Sequence, residues 1–241
     1  MRITYAICRG INKQQCEDSA CIGDTVLNDA VGEMKLSVPA VVALCDGVGG
    51  NAGGRDASIY LCKKISEADE LSPGKLQAIN EELIAYGRQI GKPAMATTLT
   101  GVFFGTETIT LMHAGNSRLY SIRGGFLNQI TTDQTTYEWL NTLGNTEAAQ
   151  TCNKSEIRCA FGGGKADYLK ELVVKRIFEK ALPQRLLFTT DGIHDYLSSD
   201  EMEEIMNEPI TAKEKIRLLV DTAVRKGSPD DCSAILIENE T

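Results

Sequence analysis

The chain has 241 residues, 42% hydrophobic and 24% charged, and a formal charge of −8 from 25 Lys and Arg against 33 Asp and Glu. That composition suits a globular protein able to bury a sizeable core. It disfavours sequence-independent nucleic-acid binding, which needs clustered basic side chains, and docking to an anionic membrane surface. No nucleic acid and no membrane is therefore expected as a partner. The longest nearly continuous apolar run, residues 38–45, contains Pro39 and falls far short of the ~20 residues of a spanning helix. The opening Met1-Arg2-Ile3-Thr4-Tyr5 has no basic segment leading into an apolar one, so no secretory signal is expected. The eight cysteines form no Cys-x-x-Cys pair, the closest being Cys16 and Cys21, and there are only two histidines. Free thiols in a reducing, cytoplasmic setting are the expectation.

Short runs rich in β-branched and aromatic residues predict strands, and helical spacing predicts helices between them. In chain order, strands are expected at 3–7 and 41–45, followed by a helix after Gly54. Ser72 and Pro73 supply an N-cap and first helical residue for a helix whose Leu76, Ile79, Leu83 and Tyr86 share one face. Strands at 99–104, 108–113 and 119–122 come next, with Gly105-Thr106-Glu107 and Gly124-Gly125 as turn signals for hairpins. A helix near 137–143 precedes a strand at 186–190. Ser198 with Glu201, and Thr211 with Glu214, have capping-box spacing. The second pair opens a helix carrying Ile216, Leu219, Val220 and Ala223, with Gly227 placed to close it, before a last strand at 233–237. The sum is an α+β fold in one domain, residues 1–241, with no linker.

Chemistry concentrates in carboxylates at the ends of these strands. Asp46-Gly47-Val48-Gly49-Gly50 follows one buried strand and Asp191-Gly192 another. Asp230-Asp231 precedes the final strand, and Glu17-Asp18 follows the first. One Asp-Gly is commonly just a turn. Four acidic clusters at strand ends are the oxygen-rich set that hard Mg²⁺ or Mn²⁺ ions take, and a carboxylate can bridge two of them.

These residues, in this order, resemble the metal-dependent protein serine/threonine phosphatases of the protein phosphatase 2C type. The resemblance runs through Lys13 to Ser19, Asp46 to Gly50, Gly53 and Ala57-Ser58. It continues in Ala96-Thr97-Thr98-Leu99, Gly115-Asn116-Ser117-Arg118, Thr132-Asp133-Gln134 and Ile157-Arg158-Cys159-Ala160-Phe161-Gly162. Thr190-Asp191-Gly192 and Gly227 to Asp231 complete it. The resemblance implies a sandwich of two antiparallel β-sheets flanked by α-helices on both outer faces. It implies two Mn²⁺ or Mg²⁺ ions at one end, with Asp46 bridging them, the Gly47 carbonyl on one, and Asp191 and Asp230 on the other. Glu17 and Asp18 would orient water from the outer shell, Lys13 would face phosphate, and a water activated between the ions would attack phosphorus without a phosphoenzyme. Residues 135–154 match the variable flap beside the site. The implied partners are a phosphorylated protein substrate and a cognate Ser/Thr kinase, for a short bacterial enzyme expected to be monomeric. Two alternatives stand beside this: a phosphatase of an anti-sigma antagonist, and a pseudophosphatase that binds phosphoproteins without turnover.

Four departures from that pattern matter. Lys13 stands where the family has Arg, offering charge but no bidentate fork. Asn116 replaces an Asp linked to a third metal, so that site is expected to be weak or empty. Val48 stands where some relatives carry a His, and Asp231 stands in place of Asn, adding negative charge. His113 and His194 are expected to be structural, as is the Cys45 thiol beside Asp46. The run Phe161-Gly162-Gly163-Gly164-Lys165 lacks the spacing of a phosphate loop.

Overall fold

The computed structural model describes residues 1–48, 53–68, 70–106, 108–178 and 184–239. Gly49 and Gly50 of the Asp46 motif, and Glu107 of the expected turn, lie outside the described residues. Strands β1 (Arg2–Cys8), β2 (Ser19–Ile22), β3 (Thr25–Leu27), β4 (Ala30–Lys35) and β5 (Ala40–Cys45) lead into helices α1 (Gly54–Ser66) and α2 (Pro73–Gln89). Then come β6 (Ala96–Thr97), β7 (Leu99–Phe104), β8 (Ile109–Ala114), β9 (Arg118–Arg123) and β10 (Phe126–Gln129), followed by short helices α3 (Thr136–Thr142) and α4 (Thr146–Thr151). After β11 (Phe161–Gly162), β12 (Val173–Phe178) and β13 (Arg185–Thr189) lie α5 (Asp191–His194), α6 (Ser199–Asn207), α7 (Ala212–Arg225) and β14 (Cys232–Glu238).

Two six-stranded sheets result, ordered β10-β9-β13-β14-β1-β4 and β12-β8-β7-β5-β2-β3, and all their pairings are antiparallel. Side-chain alternation explains why they pack as a sandwich. In β14, Ile235 and Ile237 enter the core between the sheets with Ile3, Leu44, Phe104 and Phe188. Their neighbours Ala234 and Leu236 point the other way, into a cluster with Ile216, Leu219 and Met202 from α6 and α7. The outer face of the other sheet is covered by Leu61 and Ile65 of α1 and Leu76, Ile79 and Leu83 of α2. A central strand buried on both faces reads as a continuous apolar run, which is why the sequence marks β5, β7 and β14 so clearly.

The capping signals hold. Ser72 accepts from the Lys75 amide with Pro73 opening α2, and both capping boxes, Ser198–Glu201 and Thr211–Glu214, are formed. One expectation needs correcting. The strands at 108–113 and 119–122 are not hairpin partners, because β8 and β9 belong to different sheets. The chain crosses between them at Gly115, whose φ of 115° is unfavourable for a side chain and where a Cβ would lie 2.6 Å from Thr98 Cγ2.

Leu44 is fully buried between the sheets, whereas Thr211 caps an exposed helix end. Leu44→Ala should therefore cost about 2–5 kcal/mol in urea unfolding and Thr211→Ala about 1 kcal/mol. Equal losses would contradict the placement of the core.

Candidate active site

Strand register brings the acidic clusters together. Cys8 at the end of β1 faces Cys232 at the start of β14, and Thr189 at the end of β13 faces Ala234. In the other sheet Ser19 at the start of β2 faces Cys45 at the end of β5. Each acid lies one or two residues beyond such an end, so Glu17, Asp18, Asp46, Asp191, Asp230 and Asp231 gather at one edge of the sandwich.

Backbone locks hold them there. The Asp46 amide donates to Thr98 Oγ1 (3.0 Å), its carbonyl accepts from the Thr98 amide (2.8 Å) and from Thr97 Oγ1 (2.9 Å), and the Val48 amide donates to Ala96 O (3.0 Å). The two threonines of the Ala-Thr-Thr-Leu motif thus fix the strand end that carries Asp46. Gly47 is obligatory by proximity, since a Cβ there would lie 2.5 Å from the Gly54 carbonyl carbon and 2.8 Å from Glu17 O. Gly192 is tighter still, with Asp231 O only 2.0 Å from the position of a Cβ. Ser58 donates to the Glu17 carbonyl (2.5 Å) and Thr190 Oγ1 to Asp18 Oδ2 (3.1 Å).

The carboxylates strain one another. Burial, then the charges of Asp18, Asp191 and Asp230, push the Asp46 carboxyl well above the usual range, and Lys13 only partly offsets this. Burial first, then Asp231, does the same to Asp18. Asp191 rises to about 6 through burial and then Asp230, against the hydrogen bond from Asn116. Two buried oxygens, Asp18 Oδ1 and Asp191 Oδ1, have no hydrogen-bond partner. Crowded carboxylates with unpaired buried oxygens are the donor set a divalent cation suits. Among the described residues, however, no three Asp, Glu, His or Cys side chains are drawn into a ready-made metal shell.

A lysine stands among these acids. Lys13 Nζ pairs with Glu17 Oε2 (3.2 Å), Asp231 Oδ2 (3.0 Å) and, at very short range, Asp230 Oδ1. Burial alone would lower its pKa, but hydrogen bonds and charge from Asp230 and Asp231 hold it above the ordinary lysine range. Asp231 does not face the other carboxylates freely. It accepts from the Gly10 amide (2.7 Å), the Glu17 amide (2.8 Å) and Lys13, clamping the loop between β1 and β2. Asn116 donates from Nδ2 to Asp191 Oδ2 (2.9 Å). An aspartate there would repel Asp191 without a cation between them, whereas the amide needs none.

Of the residues singled out from sequence, Lys13, Glu17, Asp18, Asp46, Gly47, Asn116, Asp191 and Asp230 all lie in this cluster. The clamp by Asp231 and the Thr97 and Thr98 locks escaped sequence reasoning. The cysteines stay structural in character: all eight are free thiols, and Cys45 is fully buried beside Cys62, whose own thiol burial pushes well up. His194 is buried, with Nδ1 bonded to Thr189 Oγ1 at 2.8 Å.

No protein-family model matches the chain. Among curated proteins, the serine/threonine protein phosphatase PstP of Mycobacterium tuberculosis is 29% identical over 243 residues, covering 95% of this chain and 43% of PstP. The serine/threonine phosphatase stp of Listeria monocytogenes is 26% identical over 231 residues, covering 88% of this chain and 89% of its own. The crystal structure of M. tuberculosis PstP superposes over 100% of both chains with a TM-score of 0.77 and 28% identity. The PstP catalytic domain in complex with two manganese ions matches with a TM-score of 0.73 and 27% identity, over 99% of both chains. Over nearly its whole length the chain is thus similar to bacterial proteins named serine/threonine phosphatases. It spans less than half the length of the mycobacterial relative.

Beside the site, His113 anchors the segment leading to residues 135–154. Burial lowers its pKa to about 4, so the ring is neutral. Its Nε2–H donates to the Thr132 carbonyl (3.0 Å), and Nδ1 lies 3.0 Å from the Thr100 hydroxyl, which itself donates to the Ser117 carbonyl (2.7 Å). Gln134 continues the anchor, its Oε1 accepting from the Gly115 amide (2.8 Å) and its Nε2 donating to Glu171 O (2.5 Å). That explains a residue for which sequence alone supplied no role. The unfolded chain, with an ordinary histidine near 6.5, takes up a proton that folded His113 refuses. The stability it contributes is thus present above about pH 6.5 and is lost as pH falls toward about 4, on the order of 1–3 kcal/mol. His113→Gln should lose less stability than wild type between pH 7 and 4.5 in urea titrations; parallel losses would contradict this.

Proposed function

We propose that this chain is a metal-dependent protein serine/threonine phosphatase, with residues 1–241 as one phosphatase domain and 135–154 as its flap. The observation that carries the proposal is the convergence of Asp18, Asp46, Asp191 and Asp230, with two buried oxygens lacking partners, at the edge where two sheets end. Homology to proteins named serine/threonine phosphatases supports it, as does a manganese-bound structural neighbour.

In this reading Asp46, the Gly47 carbonyl, Asp191 and Asp230 hold two Mn²⁺ or Mg²⁺ ions, and Glu17 and Asp18 orient water around them. Bound divalent ions supply the Lewis acidity that lowers the pKa of water and offsets charge on phosphoryl oxygens. The chain's own residues do the positioning. Thr97 and Thr98 hold Asp46 by its backbone, Thr190 holds Asp18, and Asn116 orients Asp191. The Asn116 amide, already committed to Asp191, makes a poor third-metal ligand. Lys13 supplies positive charge at the mouth of the site. A cleft lined by Asn116, Arg118, Asp195, Tyr137, Glu138 and Lys154 runs from the site to the flap and offers a path for substrate chain around the phosphorylated residue. The substrate class is phosphoserine and phosphothreonine on proteins, opposing a Ser/Thr kinase, in a monomeric cytoplasmic enzyme. Among the described residues no helix is long and apolar enough to cross a membrane.

Hydrolysis of p-nitrophenyl phosphate and of a phosphothreonine peptide should require Mn²⁺ and vanish with EDTA. Asp191→Ala should lower it by about 100-fold or more, and Asp18→Asn should weaken metal binding by about tenfold. An Asp191→Ala variant as active as wild type would overturn the proposal. Phosphopeptide binding without any Mn²⁺-dependent turnover would replace the enzyme with a pseudophosphatase.

A further inference from the structure

Lys13 reaches the same carboxylate that the proposed metal needs. Its ammonium contacts Asp230 Oδ1 and is 3.0 Å from Asp231 Oδ2 and 3.2 Å from Glu17 Oε2. The two aspartates are held very differently. Asp231 is almost wholly buried, its side chain 1% exposed, and is fixed by the Gly10 and Glu17 amides. Asp230 is 43% exposed, and its Oδ1 accepts from the Asp231 amide (2.8 Å) as well as meeting Lys13, which leaves its other oxygen open. Lys13 itself sits in a loop held from behind, where its amide donates to Gly10 O (3.1 Å) and Arg9 Nη1 donates to its carbonyl (3.0 Å).

We propose that Lys13 is a built-in counter-cation that competes with divalent metal for Asp230, tethered throughout by Asp231. When metal takes Asp230, the ammonium gives up one of its three partners and keeps the other two, so the charge remains beside the site. The competition follows from Coulomb's law and shared ligands, since one carboxylate cannot fully serve a lysine and a dication together. The flexible four-carbon stem makes such an exchange possible without moving the loop, whereas a planar guanidinium would be held by its fork. The departure at position 231 fits this role. An asparagine there would offer Lys13 no charge, so the aspartate and the lysine act as a pair, with Asp231 the positioning residue and Lys13 the competing cation.

This inference rests on the reading that the carboxylates hold divalent ions, and the test separates the two. Mn²⁺ is titrated by calorimetry into EDTA-stripped, dialysed wild type, Lys13→Gln and Lys13→Arg, and each is melted with and without the metal. Lys13→Gln should bind Mn²⁺ about fivefold or more tightly than wild type, because its competitor is gone. Its melting temperature should be below wild type without metal, and the gap should close at saturating Mn²⁺. Lys13→Arg, which keeps the charge, should bind no more tightly than wild type. Wild-type binding with equal or weaker binding by Lys13→Gln overturns the competition and leaves the metal reading standing. Absence of Mn²⁺ binding by wild type overturns both. A Lys13→Gln protein that unfolds without metal must regain a cooperative melt with Mn²⁺; failure to do so also overturns the proposal.

Discussion

Repulsion among carboxylates that the strand register forces together is the constraint around which the rest of this structure is arranged. Glu17, Asp18, Asp46, Asp191, Asp230 and Asp231 come from segments far apart in sequence, and no local feature would place them within reach of one another. The β1–β14 and β2–β5 pairings do so, because each acid sits just beyond a strand end that the ladder pins. Two-sided burial of the central strands makes that register hard to slip, since moving a strand by one residue would expose its whole apolar set. The sandwich core thus stabilises an arrangement that its charges oppose.

Several of the supporting contacts act through backbone, while Thr190 and Asn116 each hold one carboxyl oxygen, of Asp18 and Asp191. Thr97 and Thr98 grip Asp46 by its amide and carbonyl, Ser58 grips Glu17 by its carbonyl, and Asp231 grips the loop by two amides. Carboxyl oxygens are thereby left for other partners, and those of Asp18 and Asp191 that remain unpaired are buried. The departures from the phosphatase pattern also make sense together. Asn116 removes one negative charge beside Asp191, while Asp231 adds one where Lys13 compensates it. The overall charge of −8 is therefore a poor guide to the site. What matters there is a local balance among six carboxyl groups, one lysine and the cations they would bind.

The sequence made the central strands legible because burial on both faces writes them as apolar runs, and the helix starts legible because their caps are local. It hid the edge strands for the same reason. β4 alternates half-buried and exposed residues and contains Gly32, whose missing Cβ leaves room for the Tyr5 ring, and β12 carries exposed Lys175 and Arg176. The short helix α5 leaves no mark in the sequence beyond its Asp-Gly, since four residues carry no periodicity. At the site, the acids were legible as Asp-Gly and paired-acid motifs, and their common location came from family resemblance rather than spacing. The Asp231 clamp and the Gln134 anchor were not legible, because their partners are 214 to 221 and 19 to 37 residues away, respectively.

If crowded carboxylates define the site, divalent cations should relieve the strain and stabilise the fold by mass action. The most direct measurement is the melting temperature of the wild-type protein in saturating Mn²⁺ against the same protein in EDTA. The account predicts a clear rise with metal, graded with its concentration. Identical melting temperatures under the two conditions would contradict it.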